Sequence, residues 1–148
     1  MNIERLQKQL ELDEGVVYRI YLDHLGYATF GIGHLITDKD PEKDQPVYTS
    51  VTKERVAEAF KCDVSISIAE CKVLYKKWDE FPDEVQEILV NMMFNLGRPR
   101  YSKFRKHIQA VMDGNWQESA NQMRDSRWHK QVPNRAERLC KRMEEIEV

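Results

Sequence analysis

Apolar residues recur at Ile3, Leu6 and Leu10, the three- and four-residue spacing that lines one helical face, behind Asn2, a residue type favoured at helix starts. Gly15 is placed to end this helix in a left-handed turn, so a short first helix should stop at Asp13 or Glu14. From Val16 to Leu22 the chain is rich in β-branched and aromatic residues. His24-Leu25-Gly26 supplies a turn and Tyr27 to Ile32 reads as a second strand, which together predict a hairpin. Residues 37–50 are polar and carry two prolines, which predicts an exposed loop with room for one more short strand. From Thr52, Val56, Phe60, Val64, Ile68, Cys71 and Tyr75 form a narrow apolar stripe over about six turns, suited to a helix bridging two lobes. Pro82-Asp83-Glu84 marks the next helix start. Val85, Ile88, Leu89, Met92, Met93 and Leu96 give that helix a wide apolar face, and Gly97 stops it. Three shorter helices are expected around Ser102–Asp113, after Asn115, and from Asn134, where Asn134-x-x-Glu137 has the form of a capping box. The predicted class is α+β: a small hairpin or sheet lobe joined by a long helix to a larger all-helical lobe.

In the second strand, alternation puts Phe30 and Ile32 on one side and Thr29, Gly31 and Gly33 on the other, which leaves a nearly bare face beside a hydroxyl. Glycine weakens a strand, so these two either let something bulky approach the backbone or serve bulges and twist. At 148 residues, with 41% apolar and 32% charged side chains spread along its length, the chain has room for one soluble globular domain. No apolar run is long enough to cross a membrane, and the N-terminus lacks the order of a signal peptide. Cys62, Cys71 and Cys140 are an odd set with no CxxC spacing, which predicts reduced thiols. The formal net charge is −2. It is unevenly placed, at −4 over residues 1–50, −1 over 51–100 and +3 over 101–148. Arg98 to Lys106 holds five cations and no acid. Such a stretch either steers an anionic polymer or forms a solvated helix face.

Glu14 falls at a helix-to-strand junction and Asp23 at the hairpin turn, so the hairpin can bring two carboxylates and the Thr29 hydroxyl to one place. Glycoside hydrolysis needs such a set: a protonated acid for the leaving oxygen, and an ionised partner that orients water or stabilises the oxocarbenium-like transition state. Two acids nine residues apart are common on surfaces, so spacing alone does not decide the matter.

The run Gly26-Tyr-Ala-Thr-Phe-Gly-Ile-Gly-His-Leu35, with Glu14, Asp23 and Thr29, resembles the active-site signature of the phage-type lysozymes, the T-even endolysin family. The resemblance resumes in Asn91-Met-Met-Phe-Asn-Leu-Gly97 and in Ser126-Arg-Trp-His-Lys-Gln-Val-Pro-Asn-Arg-Ala136. It implies a lysozyme, a muramidase that lyses bacteria by hydrolysing the β-1,4 bond between N-acetylmuramic acid and N-acetylglucosamine of peptidoglycan, with inversion. Carried over by position, it makes Glu14 the general acid and gives Asp23 and Thr29 the attacking water. Leu35 and Phe94 match residues of the family's sugar-binding cleft between two lobes. His107 and Gln122 stand where the family has a sugar-contacting serine and asparagine. Arg135 matches an arginine beside the catalytic glutamate, and His34 with Asp63 matches a structural ion pair.

The resemblance implies one lysozyme domain over 1–148, with residues 13–50 as the small lobe, 51–76 as the bridge, and 1–12 with 77–148 as the helical lobe. The implied enzyme is monomeric, needs no cofactor or metal, and has peptidoglycan as its partner with no nucleic acid and no membrane span. It would reach the wall through a holin pore if phage-borne, or act in defence if eukaryotic. The loop after His34 is shorter than in the T-even enzyme, which predicts a reduced sheet; the family's C-terminal tail is missing; and the acidic balance is unusual for the family. Two rival readings are a lysozyme-fold protein that binds glycan without cutting it, and a nucleic-acid module built on residues 98–106. Retention of all three catalytic-type residues argues against the first, and overall acidity against the second. Trp78, Trp116 and Trp128 are expected in the core, as are Met92 and Met93.

Overall fold

A computed structural model describes residues 1–147; Val148, the last position of the expected helical lobe, lies outside the described residues. The chain is α+β, with a three-stranded antiparallel sheet in the order β1-β2-β3 and eight α-helices among the described residues. It divides into two compact units, Glu4–Ile66 and Met1–Ile3 with Ser67 onward. Among the described residues no helix is long and apolar enough to cross a membrane.

In the first unit, α1 (Ile3–Glu14) buries Leu6 and Leu10 and ends where Gly15, at φ +76°, donates its N–H to the Glu11 carbonyl at 2.9 Å. The chain then enters β1 (Val17–Leu22), turns at 24–26, and returns as β2 (Ala28–Gly31), the expected hairpin. The extra strand is β3 (His34–Leu35), earlier than the 37–50 loop expected to have room for one. Gly31, the last residue of β2, and Gly33, in the tight turn to β3, both sit at φ +65°, so the alternation expected as far as Gly33 stops at Gly31. Left-handed φ is what glycine permits and other residues resist.

The 37–50 loop is less free than its polarity suggests. Its end pairs with the outer edge of β1: Ile20 N–H donates to the Thr49 carbonyl at 2.9 Å and Val51 N–H to the Tyr18 carbonyl at 3.0 Å. Tyr48 at φ +75° keeps this pairing from becoming a regular strand. Arg55 holds the middle of the loop, its Nε 2.8 Å from Glu42 Oε2 and one Nη 3.0 Å from Asp40 Oδ1, with the guanidinium 5.4 Å from the Phe30 ring centre. This charge-assisted fork draws the Glu42 carboxyl below its usual range.

Helix α2 (Lys53–Leu74) carries the predicted stripe, with Val56, Phe60, Val64 and Cys71 buried and Tyr75, one residue past its end, buried as well. Ser67 lies in the stripe and Ile68 on its border, because a 3.6-residue period places position 67 closer to the line from 64 to 71.

In the second unit, a 3-10 turn (Trp78–Glu80) precedes α3 (Asp83–Leu96), which starts after Pro82 and stops at Gly97 as expected. α3 is more deeply enclosed than a single apolar face requires: Gln86, Glu87 and Asn91 are buried as well. Gln86 Nε2 donates to the Trp78 carbonyl at 2.8 Å, and Asn91 Oδ1 accepts from Arg135 Nε at 2.9 Å, so the buried polar groups are matched.

Beyond Gly97 come α4 (Arg98–Tyr101), α5 (Arg105–Met112), α6 (Trp116–Arg124), α7 (Arg127–Gln131) and α8 (Pro133–Glu144). Asn115 caps α6 by accepting from Glu118 N–H at 3.1 Å. Two expectations are corrected here. The 102–113 helix begins at Arg105, since residues 98–101 form their own turn. Asn134-x-x-Glu137 is not a capping box: α8 starts at Pro133, whose fixed φ suits the first helical position, and Glu137 bonds to Arg124 and His129 instead. α7, unforeseen in the sequence, is capped by Ser126, whose hydroxyl accepts from His129 N–H at 3.2 Å. Trp78 and Trp128 are buried as expected, whereas Trp116 is half-buried edge-on to Phe81.

A polar chain runs through the apolar interior of this unit: Tyr75 and Tyr101 hydroxyls lie 2.6 Å apart, Tyr101 Oη is 2.8 Å from His107 Nε2, and Ser119 Oγ is 3.0 Å from His107 Nδ1. Burial pushes the His107 imidazole down to about 4 and keeps it neutral. The unfolded chain therefore binds the extra proton between roughly pH 6.5 and 4, and this group removes stability as pH falls through that window. Between pH 7 and pH 5 the loss should approach about 2 kcal/mol. His107→Gln should flatten the slope of unfolding free energy against pH by up to that amount, measured by urea titration at the two pH values; equal slopes in the two proteins would contradict it.

Candidate active site

The Glu4–Ile66 unit gathers Glu14, Asp23, Thr29, Leu35 and Tyr21. Asp23 closes the hairpin: its N–H donates to the Tyr27 carbonyl at 2.9 Å, and its Oδ1 accepts from the backbone N–H groups of Leu25 at 2.9 Å and Tyr27 at 2.8 Å. This is the local turn chemistry aspartate favours, and it leaves Oδ2 as the oxygen available to a ligand. Thr29 is 4% exposed and stands directly across from Tyr21 in the β1–β2 register and across from Leu35 in the β2–β3 register. Directly opposed residues share a face, so Tyr21, Thr29 and Leu35 form a row across the sheet. Asp23, two residues beyond Tyr21, falls on the same side. The Thr29 hydroxyl donates to the Tyr27 carbonyl at 3.0 Å, which commits its proton and leaves the oxygen as an acceptor.

Glu14 reaches this region from the last position of α1. A Cβ built on Gly33 would lie 2.8 Å from Glu14 Oε2, so the carboxyl occupies the space a side chain at 33 would need. A Cβ on Gly31 would meet Val56 Cγ1 at 3.0 Å. Both glycines thus serve a turn and a close approach, and what approaches is the protein itself.

Tyr21 was not singled out in the sequence, although its place two residues before Asp23 on one strand was a usable signal. Burial and the charges of Glu14 and Asp23 raise its phenol above the ordinary value, which keeps it a protonated donor within the electrostatic reach of both carboxylates.

His34, at the start of β3, has Nδ1 2.7 Å from Asp63 Oδ2 and Nε2 3.0 Å from Asp40 Oδ2. Burial opposes its charge, but the two carboxylates outweigh burial and hold the imidazole above its ordinary value. A ring with a carboxylate on each nitrogen is an imidazolium bridge between the loop and α2, the ion pair expected between His34 and Asp63 with Asp40 added. Leu35 itself is 48% exposed.

The remaining predicted residues belong to the second unit. Phe94 is half-buried on α3, and Arg135 is buried on α8, its guanidinium directed to the side-chain and main-chain oxygens of Asn91. Gln122 is half-buried with its Nε2 on Glu118 Oε1 at 2.7 Å. His107, expected at the sugar, is only 1% exposed and has both ring nitrogens committed to the interior, so a ligand would have to displace those bonds to reach either. Gln122 and the edge of His107 nonetheless border a hollow of about 660 Å³. Arg100, Lys103, Arg105, Lys106 and Arg127 line it against a single acid, Asp125. The basic stretch noted in the sequence is therefore gathered around a concave surface.

Residues 11–145 match the phage lysozyme family. Among known proteins the chain is 27% and 29% identical to probable T4-type lysozymes 1 and 2 of Dictyostelium discoideum, with 93% of this chain and 92% of each relative covered. It is also 29% identical to a peptidoglycan hydrolase, gp36, of Pseudomonas phage phiKMV, where the alignment takes in 93% of this chain and 15% of that protein. With a match running over nearly its whole length, the chain belongs to the phage lysozyme family and is a glycoside hydrolase of the lysozyme type.

Proposed function

We propose that this enzyme hydrolyses the β-1,4 bond between N-acetylmuramic acid and N-acetylglucosamine in peptidoglycan with inversion, acting as a monomer, with Glu14 as general acid and Asp23 and Thr29 as the holders of the attacking water. The observation that supports this most is that the Tyr21 phenol feels the charges of both carboxylates while Thr29 stands directly across from it on the same face of the sheet. In the proposed step Glu14 gives its proton to the glycosidic oxygen as the bond to the anomeric carbon breaks. A water held by Asp23 Oδ2 and Thr29 Oγ1 loses a proton to the aspartate and adds to the opposite face of the sugar. Exposed Leu35 lies next to Thr29 and offers an apolar rest for a sugar ring. Phe94, Gln122 and Arg135 are assigned to substrate contact or support. His107 is left with an interior role. A phage-borne copy would reach the wall through a holin pore.

Glu14→Gln should keep its circular dichroism spectrum and lose at least about 100-fold of its activity, read as clearing of permeabilised Gram-negative cells and as reducing ends released from purified peptidoglycan. An active Glu14→Gln protein would remove Glu14 as the acid; a wild-type protein that binds peptidoglycan but frees no reducing ends would support a binder. Proton NMR of the first product anomer tests inversion separately.

Tyr21→Phe removes a donor near both carboxylates without changing shape. Turnover should fall about tenfold and the pH-rate profile should move, whereas an unchanged profile would exclude Tyr21 from the site.

Peptidoglycan bears carboxylates, and the hollow lined by Arg100, Lys103 and Lys106 has complementary charge. Replacing Lys103 and Lys106 together by Gln should raise KM severalfold at low ionic strength, with the difference from wild type vanishing at high salt. Equal salt dependence in the two proteins would show that these cations do not meet the substrate.

A further inference from the structure

Outside the candidate active site, three side chains of different chemistry converge where α7 meets α8. Glu137 and Cys140 are three positions apart on α8 and therefore share a face, and His129 comes from α7. His129 Nε2 is 3.0 Å from Glu137 Oε1, and the three potential donor atoms all lie within 4.8 Å of one another. We infer that His129 Nε2, one Glu137 oxygen and Cys140 Sγ form a binding site for a zinc-class transition-metal ion, which would clamp α7 to α8.

The donor set of one imidazole nitrogen, one carboxylate oxygen and one sulfur suits Zn²⁺ and its neighbours and does not suit Mg²⁺ or Ca²⁺, which take oxygen. Bonds of about 2.0–2.3 Å around a tetrahedral ion separate ligand atoms by roughly 3.5 Å, so the trio must close by about 1 Å at its widest. The surroundings permit that movement. His129 and Glu137 keep 25% and 35% of their side chains exposed and give the ion a way in, while buried Cys140 forms the floor.

Arg124 is the apparent obstacle, because its Nε lies 3.0 Å from Glu137 Oε1. Its second bond, from Nη to Glu137 Oε2 at 2.8 Å, leaves the carboxylate anchored when Oε1 turns to the ion, which is how outer groups orient metal-binding carboxylates. Glu144, 2.6 Å from the other Nη of Arg124, offsets that cation, so Arg124, Glu137 and Glu144 together carry one net negative charge toward a divalent ion. On binding, the Cys140 S–H bond breaks, its proton passes to water, and the sulfur takes the metal as thiolate; water fills the fourth position.

Co²⁺ added to the metal-stripped full-length protein tests this. The expected result is the intense absorption of a thiolate-to-cobalt charge transfer together with tetrahedral d–d bands, abolished by one equivalent of Zn²⁺, and a rise in Tm of several degrees with Zn²⁺ alone. His129→Ala, at a partly exposed position, should lose both the absorption and the Tm rise. Cys62→Ser, which removes the exposed thiol, should lose neither. No charge-transfer band in the wild type, a band that survives His129→Ala, or one that disappears in Cys62→Ser would each overturn the site.

Discussion

The contact on which the candidate active site depends is the one between the Glu14 carboxyl and the bare Cα of Gly33. A proton donor at the end of a helix is useful only if its last two bonds point one way. Space contributes to that direction: the turn between β2 and β3 needs a residue with left-handed φ, that residue has no side chain, and the carboxyl takes the vacant volume. The helix end contributes the other half of the constraint, since the left-handed Gly15 fixes where α1 stops and so which residue faces the turn. Two glycines eighteen positions apart thus help to position a glutamate, Gly15 by ending the helix with its N–H on the Glu11 carbonyl and Gly33 by leaving room.

The aspartate is held by a different means. Two backbone N–H groups converge on a single oxygen of Asp23, so the same bonds that close the hairpin hold the carboxylate. Folding of the turn and construction of the site are one event. The threonine across the sheet is fixed likewise by giving its only proton to a backbone carbonyl. Each of these side chains has its orientation determined by main-chain groups, which do not change rotamer, and this is the pre-organisation that the proposed attack by water would demand.

Much of this was legible in the sequence for identifiable reasons. The first helix, its stop, the hairpin, the long stripe of α2 and the Pro82-to-Gly97 helix follow from periodicity and from proline and glycine at element ends, all of which are local effects. Failures came where long-range pairing overrode local signals. Glu137 looks like a capping residue three positions after Asn134, but Arg124, thirteen residues upstream, and His129 take it. His107 occupies a position expected to face sugar, yet two hydroxyls from Tyr101 and Ser119 draw it inward. Buried Glu87 and Asn91 could not be read from an apolar face, because their acceptability depends on arginines some fifty residues away. Tyr21 was legible by alternation alone, but tyrosine in a strand ordinarily signals packing.

The anchoring of the 37–50 segment carries an evolutionary consequence. Arg55 and His34 grip it at Asp40 and Glu42, and the β1 edge grips it again from Tyr48 onward, so Lys43 to Val47 is a short arc between two clamps. Closing a longer arc costs only a logarithmic increment of entropy. Descendants of this chain can therefore gain or shed residues in that arc while the hairpin beneath stays in place, which makes this stretch the natural location for length polymorphism among its kin.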